Sequence, residues 1–199
     1  YYDEVGHVDF VHALSKTPIV KAQHPDFELF KMGVHSERGV SCAECHMPYK
    51  SEGGVKFTDH KIQSPLNNIS NSCQVCHRES EDNLRKNVND RQDKVLELSD
   101  LATKSLVKAH IEAKTAWDNG ATEEQMKPIL KLIREAQWRW DFVAASHGGS
   151  FHAPLECARI LGGSVQKSEE SRILLSDVLN KLGVKLPVQI PDLTTKEKA

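Results

Sequence analysis

No stretch of eighteen or more consecutive apolar residues occurs in this sequence, so no segment reads as a membrane-spanning helix. Apolar side chains are scarce in general. Only 39% of residues are hydrophobic and 6% aromatic, and mean hydropathy is −0.49. A chain of 199 residues is expected to bury roughly 70% of the surface its unfolded form exposes, and this composition offers little to bury. An excess of one charge is also missing: 26 Lys and Arg face 28 Asp and Glu, for a net charge of −2. That balance excludes the basic footprint of a nucleic-acid binder. The chain opens on Tyr1-Tyr2-Asp3-Glu4, with neither a start Met nor a signal peptide. It closes on a polar run from Thr194 to Ala199, and both ends read as cut from a longer polypeptide.

What the sequence does have is ten His, five Cys and one pattern used twice. Cys42-Ala43-Glu44-Cys45-His46 is answered by Cys73-Gln74-Val75-Cys76-His77. A Cys-x-x-Cys-His run is the attachment signature of c-type haem. Its two thiols reach the two vinyl groups of one macrocycle, and the following His is carried under the iron as a ligand. Two runs imply two covalently held haem c groups, whose apolar faces would supply what the side chains lack. The alternatives are a Cys₄ zinc site and a redox dithiol. Neither requires His directly after the second Cys, yet it stands there both times. Cys157, the odd thiol, reads as a small buried side chain. Covalent haem points to an exported, periplasmic compartment.

Along the chain, residues 1–40 read as short helical and loop pieces. Tyr2, Val5, Val8 and Val11-His12 form one amphipathic set, and Ser15-Lys16-Thr17-Pro18 looks like a helix start. His24 precedes Pro25, which biases it towards extended or turn backbone and suits it to face a pocket. Lys50 to Gly54 is a loop, Val55 to Thr58 a short extended segment, and 65–72 a further loop. From Ser80 the texture changes. Leu84, Val88, Val95, Leu98, Ala102, Leu106, Ala109, Ala113 and Trp117 make one stripe of a long helix, closed by Asn119-Gly120. Thr122 to Gln125 is a capping box opening a second helix, striped by Met126, Ile129, Ile133, Ala136, Trp140 and Val143 and stopped at Gly148-Gly149. The short connection predicts an antiparallel hairpin, whose long seam serves either an intrachain core or a dimer. Residues 155–182 are predicted helical with a break at Gly162-Gly163, and 185–191 extended. The expected class is mainly α: a loop-rich haem-binding segment followed by long antiparallel helices. The expected divisions are a haem-attachment segment at 1–80, a long-helix segment at 81–184 and an extended tail at 185–199.

Each iron needs a sixth ligand or leaves that position open. His7, His12, His24, His35, His60, His110, His147 and His152 are the candidates, with His110 read as a surface residue. Composition and spacing assign them no further.

Seven stretches extend the reading: Tyr1-Tyr2-Asp3, Ser15-Lys16-Thr17-Pro18, Lys21-Ala22-Gln23-His24-Pro25, Cys45-His46-Met47-Pro48, Thr58-Asp59-His60-Lys61, Ala136-Gln137-Trp138-Arg139-Trp140-Asp141 and His152-Ala153-Pro154. With them the whole chain resembles the C-terminal half of the pentahaem, ammonia-forming cytochrome c nitrite reductases. The resemblance implies six-electron reduction of nitrite to ammonium by a longer protein with five haem c groups and calcium. It implies that His46 and His152 ligate the haem on Cys42 and Cys45, and that His77 and His35 ligate the haem on Cys73 and Cys76. His60 would serve a haem attached elsewhere, and His24 would face nitrite. Lys21, through its carbonyl, and Gln23, through its side-chain oxygen, would bind calcium. A quinol-linked cytochrome as electron donor, a homodimer and a periplasmic location also follow from the resemblance. The Cys-x-x-Cys-Lys run of that family's catalytic haem is absent, so this chain reads as an inactive fragment carrying two electron-transfer haems and one wall of the pocket. A multihaem electron carrier, or a hydroxylamine-type multihaem oxidoreductase, is the alternative.

Overall fold

The computed structural model describes residues 1–192; the last part of the predicted tail, 193–199, lies outside the described residues. The elements in order are strands β1 (Phe10–Val11) and β2 (Pro18–Ile19), helices α1 (Asp26–Lys31), α2 (Val34–Glu37) and α3 (Cys42–His46), and strands β3 (Tyr49–Glu52) and β4 (Val55–Thr58). A 3₁₀ turn (Pro65–Asn67) then precedes α4 (Ile69–Ser72), α5 (Glu81–Asp118), α6 (Glu123–Ala144), α7 (Gly149–His152) and α8 (Pro154–Lys181). The architecture is mainly α, as the periodicity predicts. Contacts group it into two compact units that are not continuous in sequence.

The first unit comprises Tyr1–Pro25, Glu97–Ser146 and the chain from Ala158 onward. Its core lies between α5, α6 and α8. Leu106, Ala109, Ala113 and Ala116 line α5, Met126, Ile129, Ile133 and Ala136 line α6, and Leu175, Val178 and Leu179 line α8. Alanines on α5 let the axes approach, and the larger side chains opposite fill the space at interior density. Gly120, at φ 89°, closes α5, and Thr122 opens α6 by donating its amide to Gln125 Oε1 at 2.8 Å. The predicted stripe is thus used within the chain, with Leu84, Val95 and Ala102 buried as well, while Leu96 and Leu101, off the stripe on the same helix, stay exposed. Helix α8 runs unbroken through Gly162-Gly163, and α6 ends at Ala144, ahead of the predicted glycine stop.

Residues 1–25 differ from the expected helical pieces. β1 and β2 pair antiparallel, with Phe10 opposite Ile19, so Pro18 begins a strand and not a helix. Side chains from α5 and α6 decide this. Trp117 Nε1–H donates to the Ser15 carbonyl at 2.8 Å, Arg134 donates to the carbonyls of Pro18 (2.8 Å) and His7 (2.7 Å), and Asp141 Oδ2 accepts the Ala22 amide at 2.8 Å. The apolar set at Tyr2, Val5, Val8 and Val11 is exposed.

His110, expected at the surface, is buried at 5% exposure. Its ring stacks on His12 at 3.9 Å between centroids, with Ser15 Oγ 2.8 Å from Nδ1 and Gln137 Oε1 3.2 Å from Nε2. Gln137 can only accept through that oxygen. Nε2 therefore carries the proton and Ser15 donates to Nδ1, a neutral imidazole with both nitrogens satisfied. Burial pushes its pKa down to about 4. The Lys108 and Glu112 neighbours that made it look solvated lie on other faces of the turn.

The second unit comprises Asp26–Leu96 and His147–Cys157. Here α1 packs on α7 and α3 on α4. The hairpin of β3 and β4 turns at Gly53 and Gly54, both at positive φ (57° and 81°), as a two-residue I′ turn requires. Its base is fastened by Asp59, whose carboxylate lies 2.5 Å from Lys50 Nζ. That ammonium holds the Asp59 carboxyl below its ordinary range. Cys157 is fully buried, and burial pushes its thiol up to about 11.

Candidate haem-binding site

Both Cys-x-x-Cys-His runs lie in the second unit, and each is bent by local hydrogen bonds into a turn of helix. For the first, Glu44 reaches back and accepts the Ser41 amide at 2.6 Å, fixing α3 to begin at Cys42. Cys42, Cys45 and His46 then stand at i, i+3 and i+4, one face of the turn. For the second, buried Ile69 anchors α4, and the Cys73 carbonyl accepts the amides of Cys76 (3.1 Å) and His77 (2.9 Å), repeating the arrangement. All four thiols are free. Cys42 and Cys76 are exposed, while burial raises the pKa of the half-buried Cys45 and Cys73.

Two further imidazoles face these runs. The His46 and His152 ring centres are 6.2 Å apart at 72°, and those of His35 and His77 are 6.2 Å apart at 75°. Metal–imidazole bonds run about 2 Å and the ring centre lies about 1 Å behind the nitrogen, so two imidazoles on opposite sides of one metal ion hold their centres about 6 Å apart. Both pairs have that spacing. His46 Nδ1–H donates to the Gln63 carbonyl at 2.9 Å, leaving Nε2 with its lone pair, the usual disposition of a ligating imidazole. His77 Nδ1 has the Glu79 carboxylate 3.8 Å away. His152 Nδ1 is buried without a hydrogen-bond partner. Burial, then the neighbouring His77, lowers the pKa of His35; burial, then His46, lowers that of His152. Both shifts favour the neutral imidazole, the form a metal binds. Among the described residues no group of three or more His, Cys, Asp or Glu converges as at a closed cation site.

The remaining predicted residues are not part of these pairs. His60 is exposed at the end of β4. Lys21, Gln23 and His24 belong to the first unit and are exposed, while Ala22 and Pro25 between and after them are buried. His24 has φ 49°, the left-handed region, and not the extended geometry expected ahead of Pro25. Such a backbone costs about 1 kcal/mol or more and persists where surrounding contacts impose it.

Over all of residues 1–199 the sequence matches the family described as Cytochrome c552. This chain belongs to the cytochrome c552 family. It is 61% identical to the cytochrome c-552 of Parabacteroides distasonis over 199 residues, covering 100% of this chain and 40% of that protein. It is 56% identical to the cytochrome c-552 of Porphyromonas gingivalis, again over 100% of this chain and 40% of the relative. Among solved structures it is similar to the catalytic subunit of a cytochrome c nitrite reductase from Desulfovibrio desulfuricans ATCC 27774, described with two calcium sites. The TM-score is 0.79 at 32% identity, over 89% of this chain and 39% of that one. The chain thus spans about two fifths of the length of the curated relatives it matches.

A cytochrome c carries haem c, and the residues of this cytochrome c552 chain fit that group: paired thiols on a helical face, a His one residue on, and a second imidazole at the right spacing. Three features of the site escaped the sequence reading. The Gln63 carbonyl behind His46 has no side-chain signal at all. Gly148 was read only as a helix stop and Gly33 carried no reading, yet both lie against His152. Asp26, which accepts the Gly148 amide at 3.0 Å, is 122 residues away from it in sequence.

Proposed function

We propose that this chain is the electron-transfer part of an ammonia-forming cytochrome c nitrite reductase. It holds one haem c on Cys42 and Cys45 between His46 and His152, and another on Cys73 and Cys76 between His77 and His35. The observation that carries the reading is the pair of imidazole couples at equal spacing beside the two attachment turns. When bound, each haem supplies a one-electron redox centre. Because His46 with His152 and His77 with His35 would each supply two imidazoles to one haem, this chain's residues would hold and orient electron carriers, and nitrite would be reduced at a haem held by polypeptide outside these 199 residues. The similarity to the Desulfovibrio nitrite reductase supports that assignment.

In the complete protein, with five haem c groups, His24 faces nitrite. Its imidazole donates a hydrogen bond or a proton to an anion whose N–O bonds are breaking. The Lys21 carbonyl and Gln23 Oε1 bind calcium beside it. They provide two of the six to eight oxygens that such an ion takes, and the others come from outside this chain. His60 ligates an iron whose attachment run also lies elsewhere. Residues 1–80 then form the attachment segment and pocket wall, and 81–184 the long-helix segment, with exposed Leu96 and Leu101 available to a homodimer. The protein is periplasmic and draws electrons from a quinol-linked cytochrome.

The test uses the full-length holoprotein. By pyridine haemochrome, replacing Cys42 together with Cys45, or Cys73 together with Cys76, by Ser should remove one haem each, and His24→Ala should keep the haem count while lowering nitrite turnover. Undiminished turnover would remove His24 from the mechanism. A complete protein with full haem content but no nitrite reduction would leave the electron-carrier reading in its place.

A further inference from the structure

The residue that faces His46 across the first haem position has no freedom on two of its sides. His152 ends α7, a single helical turn whose N-cap is Gly148. Gly148 has φ −115° and ψ −2°, a region open to any residue, so its backbone does not require glycine. Space does. A Cβ at Gly148 would lie 2.4 Å from His152 Cε1, 2.7 Å from Nδ1 and 3.1 Å from Nε2, inside van der Waals contact. A Cβ at Gly33, also in ordinary extended backbone, would overlap the His152 carbonyl oxygen. Asp26 Oδ1 accepts the Gly148 amide at 3.0 Å, fastening the cap to the start of α1, and Phe30 from the same helix meets the imidazole edge-on at 5.6 Å.

We propose that Gly148, with Asp26 holding its amide, is the positioning residue that sets how far the His152 ring reaches towards the iron. This rests on the reading of His152 as an axial ligand. The two glycines act on different atoms. At Gly33 an added methyl meets backbone, so the fold itself must shift. At Gly148 it meets only the ring, which must recede by about 1 Å to regain ordinary contact. A coordinate bond of about 2 Å does not survive a displacement of that size. Gly148→Ala therefore removes a ligand without touching the ligand residue, the thiols or His46.

The experiment uses full-length holoprotein matured with its haems, read by pyridine haemochrome and by ferric EPR. Gly148→Ala is expected to keep the wild-type haem count and to lose one bis-imidazole low-spin signal, replaced by a high-spin signal of equal integrated intensity. Gly162→Ala, a helical glycine with nothing within 4 Å of an added Cβ, should match wild type. Asp26→Ala, which frees the cap without adding bulk, should shift the same low-spin signal, and it serves as the probe if Gly148→Ala fails to accumulate. His152→Gly separates the two levels of the argument. If all low-spin signals survive that change, the ligand assignment itself falls. If His152→Gly becomes high-spin and is restored by added imidazole, while Gly148→Ala and Asp26→Ala both keep the wild-type spectrum, only the positioning role is overturned.

Discussion

Acid should loosen the first unit through one residue, His110. Its imidazole is buried between His12, Ser15 and Gln137, and its pKa lies at about 4 against the ordinary 6.5. The cause is burial first and the neighbouring His12 second. Between those two pH values the unfolded chain binds a proton that the folded chain refuses, so stability falls as pH falls. The slope fades through pH 6.5 and is gone about one unit above it. At about 1.4 kcal/mol per pH unit, lowering the pH from 7 to 5 costs about 2 kcal/mol, and going down to 4 about 3 kcal/mol. His12 is also lowered by burial and acts in the same direction, so the decisive quantity is a difference between proteins. His110→Asn should be less stable than wild type at pH 7, because it empties part of the site, but its stability should fall less steeply between pH 6.5 and 4.5. Denaturant unfolding of the holoprotein across that range gives the slopes, and deuterium exchange at the imidazole C2 position, read by mass spectrometry, gives the His110 pKa itself. Equal slopes for the two proteins, or a His110 titrating near 6.5, would refute the reasoning.

Three further outcomes are expected. Ile133→Ala, in the fully buried middle of the α5–α6–α8 core, should cost about 2–5 kcal/mol of unfolding free energy in denaturant titration. On the proposed attachment, Cys73→Ser with Cys76→Ser should lower the haem count of the full-length protein by one and leave a haem on Cys42 and Cys45, as pyridine haemochrome will measure. On the proposed roles of Lys21 and His24, Asp141→Ala, which removes the acceptor for the Ala22 amide between them, should lower nitrite turnover of the full-length protein more than haem content; equal losses of both would point to misfolding.

The sequence displayed the covalent chemistry and the long helices clearly, because both are local patterns. The haem runs are five residues long and the stripes from Leu84 to Trp117 and from Met126 to Val143 repeat on one chain segment. The first 25 residues were misjudged for the opposite reason. Ser15-Lys16-Thr17-Pro18 carries a helix-start signature, and what overrides it is Trp117, Arg134 and Asp141, each more than 100 residues downstream. His110 was misplaced in the same way. Its neighbours in sequence are charged, but its neighbours in space are Ser15, His12 and Gln137. The pairing of His46 with His152 was legible only through family resemblance. Nothing in the intervening residues encodes it, and it emerges when 147–157 joins 26–96 in one unit.

That union has a consequence for assembly. On the proposed ligation, an iron between His46 and His152 closes a loop of about 100 residues, and the model for covalent cross-links assigns closures of that size about 4–5 kcal/mol of relief from unfolded-chain entropy. The iron between His35 and His77 closes a second, shorter one. Each haem then works as a clasp as well as a wire, and a chain this poor in apolar side chains gains its final stability only after its cofactors have been fitted.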